Sequence, residues 1–305
     1  MKLFIVGNGF DRGHDLPTSY WDFRKYLQYL YPDFLRSFEE HYDIYPLMDD
    51  ESKKSLLWNE LETNLANIDE DIIIDQVKGV TLDLESGDIG IRDTLYSYFS
   101  QEYNYIQKLS QYLKRWVRTI RIRDTKPKTT WVHPNNDALY ITFNYTSVLE
   151  NVYKIPSSKI IHIHGSLRNN DDDPILGHGN KDKIENIEQM RLDADQLCDE
   201  KRSSICAVIG DYYQRTFKDI SRYSYKLWQL AEKEIDEIIV IGHSLAGVDL
   251  PYFRDIDFLT GKGAIWTVYY FNECEKDPIK TRLLACGIDF VRIKLIQSNE
   301  FYDIK

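Results

Sequence analysis

Short β-branched runs that stop at glycine or a polar residue punctuate the chain at Leu3–Val6, Leu139–Thr142, Lys159–Ile163, Glu237–Ile241, Ala264–Phe271 and Phe290–Leu295. Near-continuous apolarity over such lengths predicts strands buried on both faces. Stretches long enough for crossover connections separate them, so the six are expected to form one mostly parallel sheet of an α/β fold rather than a meander of hairpins.

The stretch between the first two strands is far too long for one crossover helix and must hold structure of its own. Tyr20, Phe23, Tyr26, Leu27 and Leu30 recur at helical spacing, and so do Leu56, Leu57, Leu61 and Leu65 around Trp58. The longest amphipathic pattern runs through Leu95, Phe99, Ile106, Leu109, Leu113, Trp116, Val117 and Ile120. Residues from about 20 to 130 are therefore read as a helical layer inserted into the sheet domain. A second insertion is read at about 180–230, with Leu227, Leu230 and Ala231 leading into the fourth strand. The whole chain, 1–305, is expected to be a single α/β domain carrying these two insertions. Their aromatic-rich faces are read as core, and a homo-oligomer built through them is the second reading.

Composition narrows the function classes. The 305 residues are 43% hydrophobic and 29% charged, which suits a globular protein and is too apolar for disorder. A formal charge of −11 argues against broad binding to nucleic acid or to an anionic membrane surface. Lys114, Arg115, Arg118, Arg121, Arg123, Lys126 and Lys128 do crowd one region. They are read as a solvated helix end whose cations suit the macrodipole, not as a nucleic-acid face. The apolar run before Gly7 is too short for a signal peptide, and nothing approaches the roughly eighteen apolar residues of a membrane span. The four cysteines contain no C-x-x-C pair, so reduced thiols in a cytoplasmic protein are expected.

Four strand-end loops carry the candidate chemistry. After the first strand comes Gly7-Asn8-Gly9-Phe10-Asp11-Arg12-Gly13-His14, where glycines let the backbone approach a ligand and the next helix's amides can face a phosphate. Its G-x-G-x-x-x-G spacing is one residue longer than the dinucleotide fingerprint. Thr18 or Ser19 is placed to cap the helix starting near Tyr20. The second strand ends in Thr142-Phe143-Asn144-Tyr145-Thr146, and Asn144 can either hold ribose hydroxyls or a water, or satisfy a local turn. The third ends in His162-Ile163-His164-Gly165-Ser166. Strand alternation puts both imidazoles on one face; His164 is read as a general base and His162 as a satisfied packing residue. The rival is a metal site of His162, His164 and His178. After the fourth strand, Gly242-His243-Ser244-Leu245-Ala246-Gly247-Val248-Asp249 misses the nucleophile elbow, because its second glycine comes one position late. Ser244 and the neighbouring amides are read instead as phosphate or ribose contacts, and Asp249 as orienting a hydroxyl or capping the helix near Pro251. All four loops fall where a parallel sheet gathers its ligand-binding ends.

Gly7-Asn8-Gly9-Phe10-Asp11 with His14, Leu16-Pro17-Thr18-Ser19-Tyr20 and Phe23 resembles the opening of the AbiH family of bacteriophage abortive-infection proteins. Thr142–Thr146, the His162–Gly165 strand end, and Gly242–Leu245 with Asp249 fit the same family. The order of motifs is also similar to that of sirtuin-like NAD-binding domains of phage-defence NAD hydrolases. That likeness implies a Rossmann-like (sirtuin-like) sheet with large helical insertions and NAD as substrate or ligand. It implies catalytic roles for Asn144, on the nicotinamide ribose or a water, and for His164, on a ribose hydroxyl or water. Cofactor contacts are implied for Gly7, Asn8, Gly9, Phe10, Asp11, Gly165, Gly242, Ser244 and Asp249. The first loop departs from sirtuins at Asn8, Phe10 and Asp11, and the paired zinc cysteines of deacylases are absent, so deacylation is not expected. The expectation is a phage-defence protein that binds NAD and hydrolyses it to nicotinamide and ADP-ribose under a phage or host trigger. The alternatives are the metal-dependent hydrolase or nuclease and a nucleotide-gated sensor without turnover.

Overall fold

A computed structural model describes residues 1–70, 105–167, 174–245 and 247–304. The Leu95 and Phe99 part of the longest amphipathic pattern lies outside these residues. Six strands form one wholly parallel sheet: β1 (Lys2–Val6), β2 (Ala138–Thr142), β3 (Ile160–His162), β4 (Glu237–Ile241), β5 (Ile265–Tyr270) and β6 (Ile293–Gln297). Their spatial order is β3-β2-β1-β4-β5-β6, so the winding reverses between β1 and β4. Val6 pairs in register with both Thr142 and Ile241, and Thr142 with His162. Four strands therefore end level with one another, and the loops that follow them emerge side by side.

Both faces of the sheet are covered, which is why the strands read as unbroken apolar runs rather than alternations. Leu3, Ile5, Ile141, Ile161, Val240 and Trp266 point into one core, closed by Leu227 and Leu230 and by Tyr252, Phe253 and Ile256 of the helix Leu250–Leu259. Phe4, Val6, Tyr140, Ile160 and Ile241 point into the other, closed by Phe10, Val148, Leu149 and Phe301. Leu227 and Leu230 share a face because Ser224–Glu232 is a 3₁₀ run, in which residues three apart eclipse. Expected strand limits move at the last strand and at the third. Phe290–Arg292 is a 3₁₀ turn, because the Asp289 side chain accepts the Val291 N–H, and the last strand starts only at Ile293. The third strand starts one residue late, after the Ser157–Lys159 turn, and stops at His162.

The chain separates into two compact units. One takes Met1–Asp22, Leu113–Ile175 and Asp219–Lys305, and holds the sheet; the other takes Phe23–Tyr112 and Leu176–Lys218. The second unit buries Phe23, Leu27, Phe38, Leu57, Trp58, Leu61 and Leu65. Leu56, expected on the same apolar face, is 45% exposed, since Lys54–Trp58 forms a π-helical turn whose wider pitch rotates it outward. In the middle of this unit Glu39 accepts Arg24 Nε at 2.6 Å, Arg24 Nη2 at 2.9 Å and Trp58 Nε1 at 2.7 Å, so a buried charge is fully engaged. Among the described residues no helix is long and apolar enough to cross a membrane.

Candidate functional site

The glycines after β1 and β4 meet each other. Gly9 N–H donates to Gly242 O at 2.7 Å, and a Cβ built on Gly7, Gly9 or Gly242 would strike backbone of the opposite loop at 2.5, 2.7 and 2.2 Å respectively. The close approach expected toward a ligand is made here between two loops at the point where the sheet reverses. Gly7 N–H goes to Ile241 O and Phe10 N–H to Gly7 O, so these amides are taken up by protein acceptors. The helix that follows, Asn8–Gly13, has six residues. Asn8 is exposed, whereas the Phe10 ring is fully buried against His14, Tyr153 and Phe301 and faces the core. His14 is a wedge in that core: its Nδ1–H donates to Phe10 O at 2.7 Å, and its Nε2 accepts the Tyr153 hydroxyl at 2.6 Å. Burial lowers the imidazole's pKa and pushes the Tyr153 phenol up to about 12. Further along, Ser19 provides the expected cap: its Oγ accepts Asp22 N–H while the Asp22 carboxylate accepts Ser19 N–H.

Asp11, which the sequence suggests as a cofactor contact, is 1% exposed and tied to the end of β2. Asn144 Nδ2 donates to Asp11 Oδ1 at 2.9 Å and to Gly7 O at 3.1 Å, and Thr146 Oγ1 donates to Asp11 Oδ2. Burial raises the Asp11 pKa to about 7, against the two hydrogen bonds that favour its charge and with a small contribution from Glu150. Because both bonds use its nitrogen, Asn144 is left with Oδ1 buried and without a hydrogen-bond partner among the described residues. Such an oxygen costs about 1–3 kcal/mol in a folded protein.

The two imidazoles at the end of β3 separate, contrary to the strand-alternation expectation. His162, the last residue of β3, donates Nδ1–H to Asn144 O at 3.3 Å and faces Glu150 Oε1 through Nε2 at 2.8 Å, on the side of the core that holds Val148 and Leu149. It is the satisfied packing residue expected. Ile163 and His164 form a turn, Gly165 follows with φ +77°, and Lys226 Nζ secures the bend by donating to His162 O and Ile163 O. The turn carries His164 to the other face, where its ring lies 5.0 Å from Phe143 and 5.8 Å from Tyr252.

There His164 meets the loop after β4. Its Nε2 is 3.1 Å from Asp249 Oδ1, and His243 Nε2 is 3.4 Å from Asp249 Oδ2. Side-chain exposures of 3, 13 and 7% for His164, Asp249 and His243 largely exclude water, which strengthens the electrostatics. The Phe143 ring stands edge-on beside both imidazoles, 4.4 Å from His243. Leu245 N–H donates to His243 Nδ1 at 2.9 Å, so the His243 proton sits on Nε2, toward Asp249. That bond requires a sharply folded loop: Gly242 has φ +69° and Leu245 φ +52°, the latter with its side chain fully buried. Ser244 is exposed, and its carbonyl accepts Arg282 Nη1 at 2.9 Å. His243 and Arg282 were not among the expected site residues. A histidine directly after the strand-end glycine was the available signal, masked by comparing the loop with a serine elbow.

An Asp carboxylate between two imidazoles can fix their tautomers and stabilise an imidazolium, the requirement for moving a proton to or from a reacting group. Among the described residues no group of three or more His, Cys, Asp or Glu side chains is placed to hold a metal ion. His178 accepts Asn180 N–H on Nδ1 and donates Nε2–H to Tyr213 O, and burial lowers its pKa to about 4.

The model of the family described as bacteriophage abortive infection AbiH matches residues 3–270, from the first strand through the fifth and across all four loops. No curated protein matches the chain.

Proposed function

The chain belongs to the bacteriophage abortive infection AbiH family, and on that premise we propose that it acts in phage defence by binding NAD and hydrolysing it to nicotinamide and ADP-ribose. The observation that carries this reading is the buried Asp249–His164 pair at the carboxyl ends of a parallel sheet. Strand order 3-2-1-4-5-6 is the order of doubly wound dinucleotide-binding sheets, which supports a Rossmann-like, sirtuin-like architecture with the ligand above the reversal. Cleaving the nicotinamide–ribose bond develops oxocarbenium-like charge, so the site needs oriented dipoles and a base more than a strong nucleophile. Asn144 Oδ1 offers a fixed acceptor for a ribose hydroxyl or the attacking water, and His164 offers the base. The dinucleotide enters past exposed Asn8 and Ser244, with Gly165 at the foot of the His164 bend. The glycine seam limits it to the outer side of the Gly7–Gly9 and Gly242 backbones.

The test is to incubate wild-type and His164→Ala protein with NAD, with and without chelator, and to follow nicotinamide by chromatography, in purified protein and in extracts of phage-infected cells. Wild type is expected to release nicotinamide regardless of chelator, with His164→Ala slower by about a hundredfold. Tight NAD binding without product in either setting would replace the hydrolase with a sensor. Loss of turnover in chelator would replace it with a metal enzyme.

A further inference from the structure

Asp249 occupies the N-cap of the helix Leu250–Leu259, with Pro251 in the first turn, yet its side chain makes no cap hydrogen bond. An aspartate at this position ordinarily caps its helix through its carboxylate, and this one does not. Each of its two oxygens faces an imidazole, and the two imidazoles arrive from different strand ends, His164 after β3 and His243 after β4. The two imidazoles are packed against one aromatic ring, Phe143, and the His243 tautomer is set independently by the Leu245 amide.

We infer that Asp249 is a positioning residue that holds the protons of His164 and His243 on Nε2 and stabilises His164 as it becomes charged. The inference rests on the hydrolase reading for its consequence but not for its geometry. In that reaction a water oxygen bonds to C1′ of the ribose as the C1′–nitrogen bond breaks. The electron pair of that bond returns to the pyridinium ring, so nicotinamide leaves neutral and needs no acid. The single proton released from water passes to the His164 imidazole and then to solvent. Only a base is required, and a carboxylate behind an imidazole raises its capacity to act as one. The Asp249–His164 contact lies off the ideal hydrogen-bond axis at 3.1 Å, the kind of geometry that tightens when substrate is bound and charge develops. His243 brings a second ring N–H to within 3.4 Å of the same carboxylate, on the oxygen that His164 does not face.

Two measurements separate this inference from the reading it rests on. Nitrogen-15 spectra of the histidine rings in wild type are expected to show His164 and His243 with the proton on Nε2, and Asp249→Asn is expected to shift both. A wild-type His243 carrying its proton on Nδ1, or Asp249→Asn spectra unchanged at both rings, would overturn the clamp whatever the activity. In nicotinamide release, Asp249→Asn is expected to lower kcat about a hundredfold while KM stays within about twofold. A raised KM with kcat intact would make Asp249 a substrate contact and overturn its positioning role. A wild type that releases no nicotinamide would sink the hydrolase alone, leaving the spectra to decide the clamp.

Discussion

Gly242→Ala is expected to destabilise the sheet unit by on the order of 4 kcal/mol and to lower its melting temperature by roughly 10 °C. Two effects add. Gly242 has φ +69°, a region that charges an L side chain about 1–2 kcal/mol. Its added Cβ would also lie 2.2 Å from Phe10 N, 2.6 Å from Gly9 C and 2.8 Å from Gly9 Cα. These are backbone atoms at the start of a helix, and no rotamer change can clear them. The loops after β1 and β4 must move apart, breaking the Gly9 N–H to Gly242 O bond and shifting the segment that carries His243. Gly261→Ala provides the control, because Gly261 has φ +76° and an added Cβ there would meet nothing within 4 Å, so it reports the dihedral effect alone. Thermal unfolding of the two variants should differ by several degrees. Equal melting temperatures would mean that the seam yields freely and does not hold the two loops together.

The same seam explains what was legible in the sequence. Buried strands announce themselves through composition, because both faces are covered, and five of the six expected strands lie within about one residue of their observed limits. The exception is the last, where a single side-chain bond from Asp289 delays the strand to Ile293. Periodicity likewise located the helices but not the local change of pitch at Lys54–Trp58 that exposes Leu56. The loops were legible as places and less so as contacts. Glycine at 7, 9 and 242 signals close approach, but a sequence does not say whether the approaching group is a phosphate or another glycine. His162 and His164 are two residues apart, and strand alternation places them together only while the strand continues. The turn at Ile163–His164 sends them to different faces, and it depends on Lys226, distant in the chain. His243 became significant only through Asp249, whose spacing suggested a helix cap and whose side chain faces the imidazoles instead.

Asp11→Asn is expected to make the protein more resistant to denaturant at pH 8, by as much as about 4 kcal/mol, and to leave it close to wild type near pH 4. Burial raises the Asp11 pKa in the folded chain from 3.8 to about 7. Between those values the folded protein holds a proton on Asp11 that the unfolded chain has released. Stability from this group is therefore fully present below pH 3.8 and is lost as pH rises through about 7. Asparagine cannot take part in that exchange. Its amide can donate to Thr146 Oγ1 while its oxygen accepts Asn144 Nδ2, so both hydrogen bonds of the site survive the substitution. The measurement is a pair of denaturant midpoints at pH 4 and pH 8 for each protein, with the slopes compared to ensure that the unfolded states are alike. A gap that opens with pH assigns the destabilising charge to Asp11. Parallel pH dependence in the two proteins would instead mean that Asp11 ionises in the folded state as readily as in the unfolded chain, despite its burial.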